Sequence, residues 1–335
     1  MLMPVLLFLL GFILLIKGGD WFVDGAVGIA HRFRLPELLI GATVVSIGTT
    51  LPEVMVSCQA ALQGNSGISY GNAIGSIICN TSLIAAVTVA AKPGPVSTQS
   101  LRVPALFFAC AAVLYVGIAV TAGRFARWQG LLFLAIFFVY MIVSVRQMKT
   151  HPEGDSGSPG APEADAQGRD DSGETEENGS SVKDLLLLAV GAAAIAVGAK
   201  LLVDNGTLIA QWLGVPDSVI GLTMIALGTS LPELITAITS LMKGHGALSL
   251  GNIIGANLFN IVLVSGAAIS LHPFTVPAEK MIGGINSSFV VDLPVMVGVM
   301  AILCVPAFLK ERLSRWQGIL LLCIYAVFTV YQFIS

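Results

Sequence analysis

The stretch "VVSIGTTLPEVMVS", residues 44–57, lies inside an apolar run yet holds Gly48, Thr49, Thr50, Pro52 and Glu53. A helix breaker and a carboxylate are both costly there. The stretch "MIALGTSLPELITA", residues 224–237, repeats the combination 180 positions later. Proline at 52 and 232 lacks the N–H that would bond the carbonyl four residues back, that of Gly48 or Gly228, and its ring pushes that carbonyl aside. A broken backbone is therefore expected at both places. Thr49, Thr50, Thr229 and Ser230 set hydroxyl oxygens beside the breaks, and Glu53 and Glu233 add negative charge.

The solvent around these motifs follows from composition. The 335 residues are 55% hydrophobic and 11% charged, and the mean hydropathy is +0.86, far from the balance of a soluble domain. Apolar runs long enough to cross a hydrocarbon core fall near 2–30, 38–62, 67–91, 103–122, 127–147, 184–211, 218–242, 247–271, 289–309 and 315–334. The first has no basic leader or small-residue cleavage site, so it is expected to be retained. The five cysteines, Cys58, Cys79, Cys110, Cys304 and Cys323, lie in apolar spans at irregular spacing, which argues against a disulfide framework or a zinc site.

An outward amino terminus gathers Arg32, Arg34, Lys92, Arg102, Arg146, Lys149, Arg169, Lys183, Lys243, Lys310, Arg312 and Arg315 on the inner side. Arg124, Arg127 and Lys280 are left outside. The positive-inside rule then places both termini outside and residues 148–182 in the cytoplasm. That segment is rich in Gly, Pro, Ser and acids, has no calcium-loop spacing, and reads as a disordered acidic linker.

The 180-residue offset also matches "GNAIGS" (71–76) with "GNIIGA" (251–256), Asn80 with Asn260, and Asp24 with Asp204. Five spans separate each matched pair, an odd number, so corresponding segments enter the membrane from opposite sides. The expected fold is an all-α integral membrane protein of ten transmembrane helices in two inverted five-helix repeats. The first repeat spans 1–147 and the second 183–335, joined by the 148–182 linker. "RWQG" recurs at 127–130 and 315–318, a shift of 188, which implies about eight extra residues near 272–288. Its Trp and Arg read as interfacial anchors.

An acid deep in a span costs about 3 kcal/mol, and neither Lys17 nor Lys200 stands in an obvious position to pair with one. Two matched acids beside threonine and serine hydroxyls therefore point to a hard-oxygen cation site. Ser76 and Asn80, four apart on one helical face, and Asn260 add neutral oxygens. Gly71, Gly75, Gly251 and Gly255 have the spacing for close helix approach. Asp24 and Asp204 read as structural capping or interhelical bonding groups rather than ligands, Asp292 as a helix N-terminal acid, and the four histidines lie in loops or at span ends.

At these residues the sequence resembles the sodium/calcium exchanger family of cation/calcium antiporters, in its compact prokaryotic form, over nearly the whole chain. The resemblance implies a cation cluster held by Thr49, Thr50, Glu53, Ser76, Asn80, Thr229, Ser230, Glu233 and Asn260, joined by the backbone carbonyls of Ser46 and Ala226. It also implies that the first and sixth spans slide across the rest, which suits Gly11, Gly18, Gly19, Gly191 and Gly198. The chain departs from the family at Asn260, where some members carry an acid, and at Ala256, where many carry serine.

Two carboxylates give the empty site a charge of about −2, costly to carry across a low-dielectric barrier. One Ca2+, two monovalent cations or two protons would neutralise it, so exchange is enforced. The expectation is a Ca2+/Na+ antiporter of the plasma (inner) membrane, with no cofactor beyond the transported ions. Ca2+/H+ exchange is the alternative, K+ is a further possible ion, and a cation channel and an intramembrane hydrolase are the rival classes. No nucleic acid or obligatory protein partner is implied.

Overall fold

A computed structural model describes residues 2–150, 177–213, 228–278 and 281–334. Most of the 148–182 linker lies outside these residues, as does the first part of the 218–242 span, including Ala226. The described chain forms helices α1 (Leu2–Arg32), α2 (Glu37–Leu62), α3 (Ser66–Ala91), α4 (Thr98–Ala122), α5 (Arg127–Thr150), α6 (Glu177–Trp212), α7 (Leu231–Met242), α8 (Gly246–Leu271), α9 (Ser288–Lys310) and α10 (Arg315–Ile334). Among the described residues, α1 to α6, α8 and α9 contain stretches long and apolar enough to cross a membrane. This is a multi-pass integral membrane protein. The 20 residues of α10 rise about 30 Å.

The centre of the fold is α3 and α8. Their most apolar segments are 78% and 83% buried, against 22% and 28% for α1 and α6. Lipid tails are as apolar as leucine, so shape rather than water drives such packing. At Gly251 a Cβ would overlap the carbonyl of Leu38, and at Gly255 it would overlap the Ser46 hydroxyl, so α8 lies backbone-to-backbone on α2. At Gly71 and Gly75 a Cβ would meet no atom within 4 Å among the described residues.

Gly11 and Gly18 of α1 face Gly198 and Gly191 of α6, while Gly19 abuts Ile235 and Thr239 of α7. A Cβ at Gly11 would lie 2.8 Å from the carbonyl oxygen of Gly198, and one at Gly198 would lie 2.8 Å from that of Gly11. The two glycine pairs join α1 and α6 closely, and Gly19 lets α1 approach α7.

Each half's last helix packs on the other half's central one. Gly130 of α5 abuts Gly266 and Ser270 of α8, and Gly318 of α10 abuts Ala86 and Ala90 of α3. These glycines close the "RWQG" motifs. The preceding glutamines seal the helix starts: Gln129 Oε1 accepts from the Ala126 N–H at 2.7 Å and Gln317 Oε1 from that of Ser314 at 2.8 Å. Trp128 and Trp316 stay exposed, as anchors would.

The connections pair in the same crossed fashion. Strand β1 (Gly94–Pro95) pairs antiparallel with β4 (Arg312–Leu313), and Arg124 bridges to Thr275. A hairpin of β2 (Met281–Ile282) and β3 (Ile285–Asn286), turned by Gly283 and Gly284 at positive φ, occupies the region where the second half carries its extra residues.

Candidate cation site

Both motif acids are fully buried. Glu53 of α2 and Glu233 of α7 are 0% exposed, and none of their four carboxylate oxygens has a hydrogen-bond partner among the described residues. Thr50 Oγ1, Ser230 Oγ and both side-chain polar atoms of Asn80 and Asn260 are likewise buried and without a hydrogen-bond partner among the described residues. A buried polar atom without a partner costs a few kcal/mol, so these groups make this core the candidate site for a ligand.

The helices that aim these groups depart from α geometry at matching points. A π-turn opens at Asn80 and runs to Ala85, and another opens at Asn260 and runs to Ser265. The Ser265 hydroxyl donates to the Asn260 carbonyl at 2.9 Å across the widened turn. π-Turns occur frequently at functional sites because they re-aim one residue. Ser76, one turn before Asn80, is also buried.

The expected break is present in one half only. Thr229 and Ser230 form a turn, and α7 starts at Leu231 with Pro232 in its first turn. Pro52, by contrast, lies inside a helix that winds from Ser46 to Leu62, so the expectation of a break at Gly48 is corrected. One missing N–H removes one bond of the ladder, and the bonds on either side carry the helix through.

Thr49 and Ser46 face α8. The Thr49 hydroxyl donates to Asn252 Oδ1 at 3.1 Å, with the Ser46 carbonyl 3.5 Å away. The Ser46 hydroxyl oxygen lies 2.8 Å from the Gly41 carbonyl and 2.9 Å from the Asn252 carbonyl, two acceptors that share its one proton. Thr229 donates to Asn72 Oδ1 at 3.3 Å. Asn72 and Asn252 were not among the expected site residues, although both stand in the quoted "GN" motifs and match at the same offset.

Phe22 of α1 and Ala192, Ile195 and Ala196 of α6 cover the site. With Gly48, Thr49, Pro52 and Pro232 they line a narrow cavity of about 10 Å3. Asp24 and Asp204 stand away from the carboxylates. Asp24 pairs with Lys243 at 2.8 Å, and Asp204 with Lys200 of its own helix at 2.9 Å. Asp292 ends the opening π-turn of α9 and accepts from Gln332 at 3.0 Å. His245, at the start of α8, bonds Glu37 at 2.8 Å, and that carboxylate pushes its pKa up.

The profile of the sodium/calcium exchanger protein family matches residues 3–146 and 183–334. The chain belongs to the sodium/calcium exchanger family. Relatives include the sodium/calcium exchanger MaX1 of Methanosarcina acetivorans, 32% identical over 98% of each chain. The putative antiporter CaxA of Alkalimonas amylolytica is 34% identical over 100% of this chain and 99% of its own. A solved structure of the exchanger NCX_Mj, soaked with 10 mM Na+ and 10 mM Sr2+, matches with a TM-score of 0.80 at 31% identity over 97% of both chains. The family is one of transporters, so this exchanger is not an enzyme.

Proposed function

We propose that the chain exchanges Ca2+ for Na+ by alternating access, with Thr49, Thr50, Glu53, Ser76, Asn80, Thr229, Ser230, Glu233, Asn260 and the carbonyls of Ser46 and Ala226 as the ion ligands. The observation that carries this is the pair of fully buried carboxylates with no hydrogen-bond partner among the described residues. Hard oxygen donors of this kind suit Ca2+ and Na+. No resident cofactor is needed, because the transported ions supply the positive charge that the site lacks. The names of the family and of MaX1 support sodium rather than the proton as the coupling ion.

The architecture is ten spans in two inverted repeats, 1–147 and 183–335, joined by a cytoplasmic linker at 148–182. The two blocks of the family match, separated at the linker, support that division. The crossed pairing of connections supports the topology. The 92–97 and 310–314 connections meet at one end and Arg124 meets Thr275 at another, as alternation of ten spans requires. Both termini lie outside and the membrane is the plasma (inner) membrane, on the bias of the basic residues.

The test is flux in proteoliposomes. Vesicles loaded with Na+ and diluted into Na+-free medium should accumulate 45Ca2+ against its gradient, and collapsing the Na+ gradient should stop uptake. Uptake driven by a proton gradient alone, with Na+ ineffective, would overturn the assignment of the coupling ion.

A further inference from the structure

A hydroxyl carries one proton and two lone pairs. To serve a cation it must turn its lone pairs to the ion and give its proton elsewhere. Thr49 and Thr229 each give that proton to an amide oxygen from the other half of the chain: Thr49 to Asn252 at 3.1 Å and Thr229 to Asn72 at 3.3 Å. The threonines are 180 positions apart, and so are the asparagines. An amide oxygen cannot donate, so the direction of each bond is fixed.

Asn72 is held on its nitrogen side, whereas Asn252 Nδ2 has no hydrogen-bond partner among the described residues. Asn72 Nδ2 donates to the Ser57 hydroxyl at 2.8 Å and to the Glu53 carbonyl at 3.1 Å, which fixes which amide atom faces Thr229. One amide thereby joins the backbone of the Glu53 helix to the hydroxyl of the opposite motif. Asn252 is fully buried, and its Oδ1 also lies 3.3 Å from the Ser46 hydroxyl.

We propose that Asn72 and Asn252 are positioning residues for ion exchange, each taking the proton of the other half's threonine so that the hydroxyl lone pairs face the transported cation. The inference rests on the reading of Thr49 and Thr229 as ion ligands. Partners that orient ligands in this way set affinity without touching the ion. Without Asn252, Thr49 is left to turn its proton to the Ser46 carbonyl or to the nearby Glu233 carboxylate, which competes with cation coordination.

A double-mutant cycle separates this role from a structural one. Asn252→Ala should raise the Ca2+ concentration for half-maximal Na+-driven flux about tenfold, the factor that about 1.4 kcal/mol represents. In a Thr49→Val background the same substitution should add less than about twofold, and thermal stability in detergent should stay at the parent's value. The reciprocal pair, Asn72→Ala with Thr229→Val, repeats the test should Asn252→Ala not fold. Additive effects in either folded cycle, an unchanged Ca2+ dependence, or folding failure of both asparagine variants beside folded threonine variants would overturn the proposal. Absence of Na+-driven Ca2+ flux in the parent would instead remove the exchange reading itself.

Discussion

Glu53 lies in the interior of a helix that winds unbroken from Ser46 to Leu62, whereas Glu233 stands in the first turn of a helix that begins at Leu231. Both follow the same Gly-Thr-(Thr/Ser)-Leu-Pro sequence. Pro232 occupies a place where its missing N–H would have no intrahelical acceptor, and the positive end of α7 favours the adjacent carboxylate. Pro52 instead removes a bond from a continuous ladder, and Glu53 has no helix start beside it. The two motifs thus share side-chain chemistry while differing in backbone setting. What the copies keep in common is a buried carboxylate whose oxygens have no hydrogen-bond partner among the described residues, flanked by hydroxyls, so the proposed ion site, rather than the helix, accounts for the shared sequence.

The strongest way to break that equivalence is to neutralise each acid in turn. A unit charge about 4 Å from a divalent ion is worth several kcal/mol even at an effective dielectric near 20. Glu53→Gln and Glu233→Gln should each lower Na+-driven Ca2+ flux at least about a hundredfold, at matched expression and with an unchanged elution profile. The field of a helix start contributes about 0.3–1 kcal/mol, so the two losses should agree within about tenfold. Near-parent flux in either variant would take that residue out of the site.

A smaller and more informative change adds charge at the paired π-turns. Asn80→Asp and Asn260→Asp each place a third carboxyl among the buried oxygens. The empty site would then need one more monovalent cation, or a proton, to cross the membrane neutralised. Both variants should retain flux but show a steeper dependence on Na+ than the parent, or acquire a requirement for acid. A change at one position only would show that Asn80 and Asn260 do not face a common cluster. Parent-like ion dependence at both would exclude them from it.

Much of this was legible in the sequence, because burying a carboxylate twice at one spacing is too costly to be incidental. The apolar runs marked the helices, and the offset of 180 marked the groups that the fold brings together. Three features were not legible. The winding through Pro52 depends on the rest of the ladder, which composition does not record. The π-turns at Asn80 and Asn260 leave no compositional mark, since a one-residue register shift uses ordinary residues. The bonds of Asn72 and Asn252 were masked by their neighbours: beside Gly71 and Gly251 an asparagine reads as part of a packing motif. A buried amide needs partners, and its recurrence in both motifs was the available signal. The "RWQG" motif was half read, its Trp as anchor, while the capping by Gln129 and Gln317 emerged only from the helix starts.

The smallest expected effect lies at the ends of the helices, where the halves stop matching. Lys243, between α7 and α8, lies 3.4 Å from Asp20 and 2.8 Å from Asp24 of α1. It also donates to the Asp20 carbonyl at 3.1 Å. The positions 180 residues later are Lys200 and Asp204, which pair with each other at 2.9 Å within α6, and Gln63 stands where the first half would need a lysine. One end of the molecule therefore ties α1 to the opposite half by charge, and the matching groups at the other end are satisfied locally. If α1 shifts against α7 and α8 during exchange, these contacts weight one access state over the other. Partly exposed ion pairs contribute about 0.2–1 kcal/mol, which corresponds to at most about fivefold in an equilibrium. Lys243→Gln, which gives the second half the residue of the first, should change the ratio of apparent Na+ affinities measured from the two membrane faces by up to that factor. The change should shrink at high ionic strength as screening removes the parent's advantage. Gln63→Lys should alter the ratio less, because Asp204 already has a partner. An unchanged ratio for Lys243→Gln at low salt would mean that α1 keeps its place against α7 and α8 throughout the cycle, and that the charge difference between the two ends has no bearing on access.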